Sequence, residues 1–489
     1  MLSVVQHSFR RAVNTSSTIR RSTQIVKTGG ILNSSITSTM DSQKFSSTSK
    51  DGITPPKNFH HFLNEKSLKR QPSLIRELTK LFASAEPGTI FMAGGLPNPD
   101  LFPYTSFSLQ IDEKTSINLS SQELRLALQY QPTMGHPELH EELTKLVQRC
   151  FPPPHWDNTG LIVTVGSQNA LHGMLEIILE VGDPVVIPNP CYSSTLSIMD
   201  PYSPTYLAVP EDSDGMQPDA LRSALQNWYG NNSPSQSDGN EKVKPGFKRP
   251  KILYVNPTGA NPSGIVIPTE RKKEIYRIAQ EYNLLILEDD PYYFLHFLQE
   301  DPTTFLSMDV DGRVIRFDSF SKVLSSGIRV GFATGPKNLI RSLEMYLQAS
   351  ILHAASLSQV VVNGTLRNWG NDGFRQHMET VKAFYRKRRD LMLEAAEKHL
   401  TGLAEWSTPN AGMFLWLKIR GVDDTFDMVM ERGIQRKIMA LPGREFMADK
   451  SKPCPYIRVS YSVIPEDQIE QGISRLAELI RDEQKLTQK

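Results

Sequence analysis

Nowhere in these 489 residues does an apolar run approach the roughly 20 residues that span a bilayer, so no membrane helix is expected. Cysteine is almost as scarce. Cys150, Cys191 and Cys454 are odd in number and far apart, which excludes a disulfide framework and suits a reducing compartment. No Cys/His cluster has zinc spacing, and no metal is expected. Neither sign of charge is in excess: 54 Lys and Arg against 53 Asp and Glu leave a formal net charge of +1. Such a balance lacks the electrostatic footprint of a nucleic-acid or anionic-membrane partner.

Acidic residues are missing altogether before Asp41. In their place stand Arg10, Arg11, Arg20, Arg21 and Lys27 among many Ser and Thr, with Val5, Phe9 and Val13 on one helical face. An Arg-rich, Ser-rich, acid-free amphipathic start is what a mitochondrial presequence looks like, and the mitochondrial matrix is the expected destination. A disordered polar tail, with residence in the cytosol, is the alternative.

What is present is enough chain for two lobes, since one compact core seldom holds so many residues. Ordered sequence is expected to begin near Ser73, where Leu74, Ile75, Leu78 and Phe82 have helical spacing. Apolar runs at 161–165, 185–187, 252–255, 284–287, 314–317 and 330–334 alternate with helical stretches at 167–181 and 269–282. Runs apolar at successive positions and joined by helices indicate a mostly parallel sheet covered on both faces. After about residue 345 come a long helical stretch, alternating strands at 413–419 and 456–461, and a closing amphipathic helix at 466–482. The fold class expected is α/β, a three-layer αβα large domain plus a smaller α+β domain. Boundaries follow: presequence 1–50, N-terminal arm 51–100, large domain 101–345, small domain 346–485. A Gly-, Asn-, Ser- and Pro-rich stretch at 229–250 reads as a surface insertion.

The chemistry gathers at strand ends. Asp318-Ser319-Phe320-Ser321-Lys322 follows the run 314–317. Burial disfavours an ammonium and lowers its pKa, and the neutral amine is a nucleophile towards aldehydes. Gly166-Ser167-Gln168 joins a strand to a helix whose free amides suit a phosphate. Arg329, Ser319 and Ser321 can serve the same dianion. Glu288-Asp289-Asp290-Pro291-Tyr292-Tyr293 lies beyond another strand, where α/β sheets bind ligands. A carboxylate there could keep a ring nitrogen protonated, with a tyrosine three residues on reaching another ring substituent. Asn261 sits in a turn after a further strand, and Tyr192 offers a flat face for stacking. Singly, each has an ordinary reading: a surface lysine, a helix cap, an ion pair, a turn. In chain order they describe one pocket, which matches pyridoxal 5'-phosphate.

The same segments carry a resemblance, spanning about Ser73 to Ile480. Gly94-Gly95-Leu96-Pro97-Asn98-Pro99, 288–294, 318–331, Ala411-Gly412-Met413-Phe414-Leu415-Trp416 and Leu441-Pro442-Gly443 are its motifs. The chain resembles a fold-type-I pyridoxal-phosphate aminotransferase of class I/II, related to aspartate aminotransferase in architecture. It is most similar to the mitochondrial kynurenine/α-aminoadipate aminotransferases. The resemblance implies Lys322 as the Schiff-base lysine, Asp290 as partner of the pyridine nitrogen, and Tyr192 as the stacking aromatic. Asn261 and Tyr293 are implied as contacts to the ring hydroxyl, and Ser167, Gln168, Ser319, Ser321 and Arg329 as the phosphate set. Tyr130 is implied to reach the phosphate of a neighbouring subunit, hence a homodimer with shared active sites. On the substrate side, Arg458 is implied to grip the α-carboxylate, Gly95 and Leu96 to line the lid side, and Arg76 to meet a distal carboxylate. Asn261 and Tyr130 also face substrate in this reading.

Ping-pong transfer of an amino group from 2-aminoadipate or kynurenine to 2-oxoglutarate is the expected activity, in lysine and tryptophan catabolism. A broader aromatic amino acid aminotransferase, or decarboxylation or β-elimination on the same cofactor, stands as an alternative. A non-catalytic cofactor-binding regulator is a further one, although the N-terminus lacks a helix-turn-helix pair. Ser263 stands where the usual turn has threonine, and Arg444 and Glu445 lie near the substrate end.

Overall fold

The computed structural model describes residues 59–487, apart from 84–85, 87, 91, 94 and 233–245. The expected presequence therefore lies outside the described residues, as does the middle of the 229–250 insertion. The flanks of that insertion are held. Helix Pro218–Asn232 carries Tyr229, the Trp228 indole donates to Lys248 O at 3.0 Å, and Phe247 packs edge-on against Tyr229.

A short hairpin, β1 (Phe107–Gln110) with β2 (Ser116–Leu119), comes first. The main sheet then follows from β3 (Thr159–Thr164), β4 (Pro184–Asn189), β5 (Thr205–Asp212), β6 (Gly215–Met216), β7 (Ile252–Val255), β8 (Leu285–Asp289), β9 (Val314–Ser319) and β10 (Gly331–Pro336). Their spatial order is β3-β10-β9-β8-β7-β4-β5-β6. The pairs β4/β5, β4/β7, β7/β8 and β8/β9 are parallel. Strand β10 is antiparallel to both β9 and β3. A direct return from β9 needs no crossover helix, so the lysine-bearing turn is a tight connection between neighbours.

The central strands β7 and β8 are buried on both sides, which is why they read as unbroken apolar runs. Alternate residues nevertheless enter different cores. Leu253, Ile286 and Val314 meet helices Pro137–Cys150, Pro218–Asn232 and Thr269–Glu281 on one face. Tyr254, Leu285, Leu287, Ile315 and Phe317 meet helices Gly166–Ile178 and Lys337–Ser350 on the other. The result is the expected three-layer α/β arrangement.

Order starts before Ser73. Phe62 is fully buried in the second of those cores, and Asn64 caps the helix Glu65–Leu68 through its Oδ1. The Asn64 amide also donates to Glu176 O and Leu179 O, satisfying carbonyls at the end of helix Gly166–Ile178. One buried aromatic and one capping side chain have no periodicity, so the helical pattern from Leu74 onward hid them.

A second, four-stranded antiparallel sheet has the order β11-β12-β14-β13, with β11 at Ala404–Glu405, β12 at Phe414–Ile419, β13 at Leu441–Pro442 and β14 at Tyr456–Ser460. Its core is shared with the end of helix Ser356–Leu400 and with helix Glu466–Thr487. Gly370 breaks the first of those helices, with φ 56° and ψ −159°.

Candidate active site

The C-terminal ends of the main strands frame one cavity, of about 180 Å³, lined among others by Ser167, Gln168, Tyr192, Asn261, Ser319, Ser321, Lys322 and Arg329. Each arrives from a different strand end: Ser167 and Gln168 after β3, Tyr192 after β4, Asn261 after β7, and Lys322 after β9.

The anion side is built from glycines and hydroxyls. Gly166 opens its helix at φ 74°, and a Cβ there would stand 2.6 Å from Arg329 Nη2. At Gly331 a Cβ would meet Asp318 O at 2.5 Å and the Gly166 carbonyl carbon at 2.7 Å. Only hydrogens allow the helix entrance and the lysine turn to approach this closely. Arg329 donates from Nη1 to Ser321 Oγ at 3.1 Å and from Nη2 to Val165 O at 3.2 Å. The Ser319 hydroxyl donates to Ser321 Oγ at 2.9 Å and accepts from the Ser321 amide at 3.2 Å.

Lys322 ends the single turn Phe320–Lys322. Burial lowers its pKa, and the nearby Arg329 and Arg458 guanidiniums lower it further. Its Nζ lies 5.9 Å from the centre of the Tyr292 ring.

The acid that lines the cavity with this amine is Asp289, not Asp290. Asp289 and Tyr292 line the cavity. Asp289 Oδ2 accepts from the Tyr254 hydroxyl at 2.9 Å, and burial pushes the carboxyl up to about 7. Asp290 and Tyr293 face the opposite side of the sheet, because each step along a strand reverses the face. There Asp290 Oδ2 accepts from Arg316 Nη1 at 2.8 Å and from the Thr258 hydroxyl at 3.1 Å, while its Oδ1 has no hydrogen-bond partner. Tyr293 donates its hydroxyl to Cys150 O and packs edge-on against Phe151. The expected pair, Asp290 and Tyr293, is therefore absent from the cavity lining, and their chain neighbours Asp289 and Tyr292 stand there instead.

Arg316 is the centre of that rear cluster. Fully buried, it is ion-paired with Glu288, Asp290 and Asp318 and lies over the Phe151 and Tyr293 rings. Burial works against its charge, but the three carboxylates outweigh it and hold the guanidinium far above its usual pKa. Burial pushes Asp318 up to about 7 despite this partner. Nothing in the sequence marked Arg316 as more than one polar residue in an apolar run.

On the side of the second sheet, Arg458 comes from the middle of β14, opposite Trp416 of β12 and Leu441 of β13. Its Nη1 donates to Asn261 Oδ1 at 2.7 Å, its guanidinium lies 4.1 Å from the Phe414 ring centre, and its buried Nε has no partner. Burial lowers its pKa. Asn256, which the sequence reading passed over, accepts the Asn261 amide at 2.7 Å and so fixes that turn. Strand parity would have singled it out, two residues beyond Tyr254. Arg444 is already paired with Asp424, and Ser263 donates to Glu211 at 3.2 Å.

The remaining expected residues lie away from this cavity. Arg76 donates to Gln131 O at 3.3 Å and sits 5.7 Å from the Tyr130 ring centre. Tyr130 is half-exposed, Leu96 is also exposed, and a Cβ at Gly95 would meet nothing within 4 Å. One chain alone does not bring these four to Lys322. Among the described residues no His, Cys, Asp and Glu group has the makings of a metal site, and no helix is long and apolar enough to cross a membrane.

Comparison with known proteins supplies the family. The model described as "Aminotransferase class I and II" matches residues 110–476. The mitochondrial kynurenine/alpha-aminoadipate aminotransferase of Bos taurus is 42% identical over 431 residues, covering 87% of this chain and 99% of its own. Among solved structures, the aminotransferase Aro8 of Candida albicans superposes with a TM-score of 0.77 at 27% identity, over 88% of this chain and 100% of that one. The kynurenine aminotransferase of Pyrococcus horikoshii does so with a TM-score of 0.66 at 30% identity, over 87% and 98%. With a lysine, an arginine and a carboxylate lining one cavity at the strand ends, and a family match over more than half its length, the chain belongs to the class I and II aminotransferases.

Proposed function

We propose that this chain is a pyridoxal-phosphate-dependent aminotransferase that moves the amino group of kynurenine or 2-aminoadipate to 2-oxoglutarate in two half-reactions. The observation that carries it is the convergence of Lys322, Asp289 and Arg329 on one cavity, with Arg458 of the second sheet bonded to Asn261 in its wall. Class I and II aminotransferases generally depend on pyridoxal phosphate, and the residues present fit it. The Gly166–Arg329–Gly331 cradle and its hydroxyls suit a phosphate. Asp289 suits a protonated ring nitrogen, Tyr292 and Asn261 a ring hydroxyl, Tyr192 a ring face, and Lys322 an aldehyde.

When bound, the cofactor supplies an aldehyde carrier for the amino group and a ring that accepts the electron pair released at the substrate Cα. The chain's own residues do the rest. Arg458, with one nitrogen committed to Asn261 and its Nε unpartnered, binds the α-carboxylate and thereby orients the Cα–H bond. Lys322, its pKa lowered, would take the Cα proton as a base and, as an acid, deliver it to the carbon that was the cofactor's aldehyde. Asp289 would hold the ring nitrogen charged. Arg329, Ser319, Ser321, Ser167 and Gln168 anchor the phosphate end so that the reacting carbon stays beside Lys322.

The finer reading of partners and place rests on relatives. Tyr130 and Arg76 lie together on the surface, away from their own cavity, which supports a homodimer in which each chain completes the other's site, Tyr130 at the phosphate and Arg76 at a distal carboxylate. Gly95 and Leu96 take the lid side in the same assembly. The bovine relative is a mitochondrial enzyme by name, which supports the matrix. The aromatic faces of Phe414 and Phe446 beside Arg458 favour a second reading, a broader aromatic amino acid aminotransferase. A panel of donors with 2-oxoglutarate tests both. Fastest kcat/KM on 2-aminoadipate and kynurenine supports the first, whereas tyrosine or phenylalanine ahead of both supports the second. Failure of every donor sinks the proposal.

A further inference from the structure

Asp289 has two companions on the neighbouring strand. The Tyr254 hydroxyl donates to its Oδ2 at 2.9 Å, the one donor to that carboxylate among the described residues. Two residues on, past the end of β7, the Asn256 side-chain amide donates to the Asp289 backbone carbonyl. Residues i and i+2 of a strand share a face, so β7 grips both the side chain and the backbone of Asp289 from behind.

Tyr254 is itself immobile. It has no exposed surface, pairs in register with Leu287, and packs in the core beneath helix Gly166–Ile178. Burial and the adjacent carboxylate push its pKa far above the ordinary phenol range, so the hydroxyl stays protonated and can only be the donor to Asp289. A donor fixed on Oδ2 sets the carboxylate's rotation and leaves Oδ1 for whatever the cavity holds. Hydrogen bonding to the ionised form also favours that form. Opposing this are burial and the charge of Asp290 immediately behind.

We propose that Tyr254 is a positioning residue for the transamination site: its hydroxyl holds Asp289 ionised and turned so that Oδ1 meets the ring nitrogen of the cofactor. The inference rests on reading Asp289 as the ring acid and goes beyond it by naming what makes that acid competent. A purely structural tyrosine would fill the same space without needing its hydroxyl.

The test is a double-mutant cycle on the full-length apoprotein titrated with pyridoxal phosphate, followed by absorbance. Tyr254→Phe keeps the ring and removes the hydroxyl. It is expected to weaken cofactor binding about 10- to 100-fold, the worth of a hydrogen bond to a charged group. It should also lower kcat with KM nearly unchanged. In an Asp289→Ala background the same change should cost less than about 3-fold, because the partner is gone. Equal losses in both backgrounds would overturn the inference, as would wild-type affinity in Tyr254→Phe. If Asp289→Ala itself binds and turns over like wild type, the reading of Asp289 falls and takes the inference with it. Urea unfolding of all four apoproteins reads the same cycle where binding is too weak to titrate. A stability cost of Tyr254→Phe that persists undiminished in Asp289→Ala counts against the proposal.

Discussion

Two aspartates stand side by side at the end of β8 and lead different lives. Asp289 opens on the cavity that Lys322 also lines, with a protonated phenol behind it. Asp290, one residue on, is buried on the far face against a guanidinium that also holds Glu288 and Asp318. The arginines divide in the same way. Arg316 has every neighbour a buried cation needs, whereas Arg458 keeps a buried Nε without a partner. Paired charges hold the sheet end together, although Asp290 Oδ1 is itself unpartnered; what sets Asp289 and Arg458 apart is that one lines the cavity and the other is bonded to its wall. Burial alone does not tell them apart, since both aspartates are almost completely hidden.

That contrast breaks hardest at Lys322. Replacing it with Ala is expected to lower multiple turnover by about 10⁴-fold, the upper range for losing a general acid–base group, while the apoprotein still takes up cofactor non-covalently. Steady-state rates and dialysis measure the two halves. Next comes the rear cluster. Arg316→Met leaves three buried carboxylates without their cation and should cost about 3–5 kcal/mol of apoprotein stability in urea unfolding. Unchanged stability would mean that the rear cluster is not what holds the sheet end.

A direct comparison sharpens the point further. Asp289→Asn should lower kcat by roughly 10²- to 10³-fold, the scale of one lost electrostatic contact at a reacting centre, with little loss of stability. Asp290→Asn should do the reverse, lowering the urea midpoint more than kcat. The opposite ranking would restore Asp290 as the ring acid. The smallest effect is one of pH. Asp289 has its folded pKa raised to about 7, above the ordinary aspartate value of 3.8. Between those values the folded chain binds the extra proton, so this group stabilises the apoprotein at low pH and loses that contribution as pH rises through about 7. Wild-type apoprotein should therefore lose stability relative to Asp289→Asn as pH rises from 4 to 8, read by urea unfolding at each pH. Parallel pH profiles would show that Asp289 does not titrate there.

Much of this was legible in the chain itself. Apolar runs marked β3, β4, β7, β8 and β9, and the segment around Lys322 announced its chemistry by its place after one of them. What was not legible has a single physical cause. A strand buried on both faces shows no alternation, so nothing in Leu-Ile-Leu-Glu-Asp-Asp said which acid looked forward. The same ambiguity hid Arg316, Tyr254 and Asn256, whose meaning depends on a neighbouring strand rather than on local spacing. Phe62 and Asn64 escaped for a related reason: their partners lie more than a hundred residues away.

The contact between Gly166 and Gly331 has a consequence for how such a protein can change over time. The atoms that a methyl group would strike at Gly331 belong to main chain, which cannot swing aside as a side chain can. Gly331 cannot drift without moving a helix entrance and a strand together, and Gly166 is held by its left-handed φ of 74°, so this wall is closed to gradual tinkering. Innovation in what the enzyme accepts has to come from the opposite bank, where Arg458 is surrounded by replaceable aromatic side chains rather than by backbone.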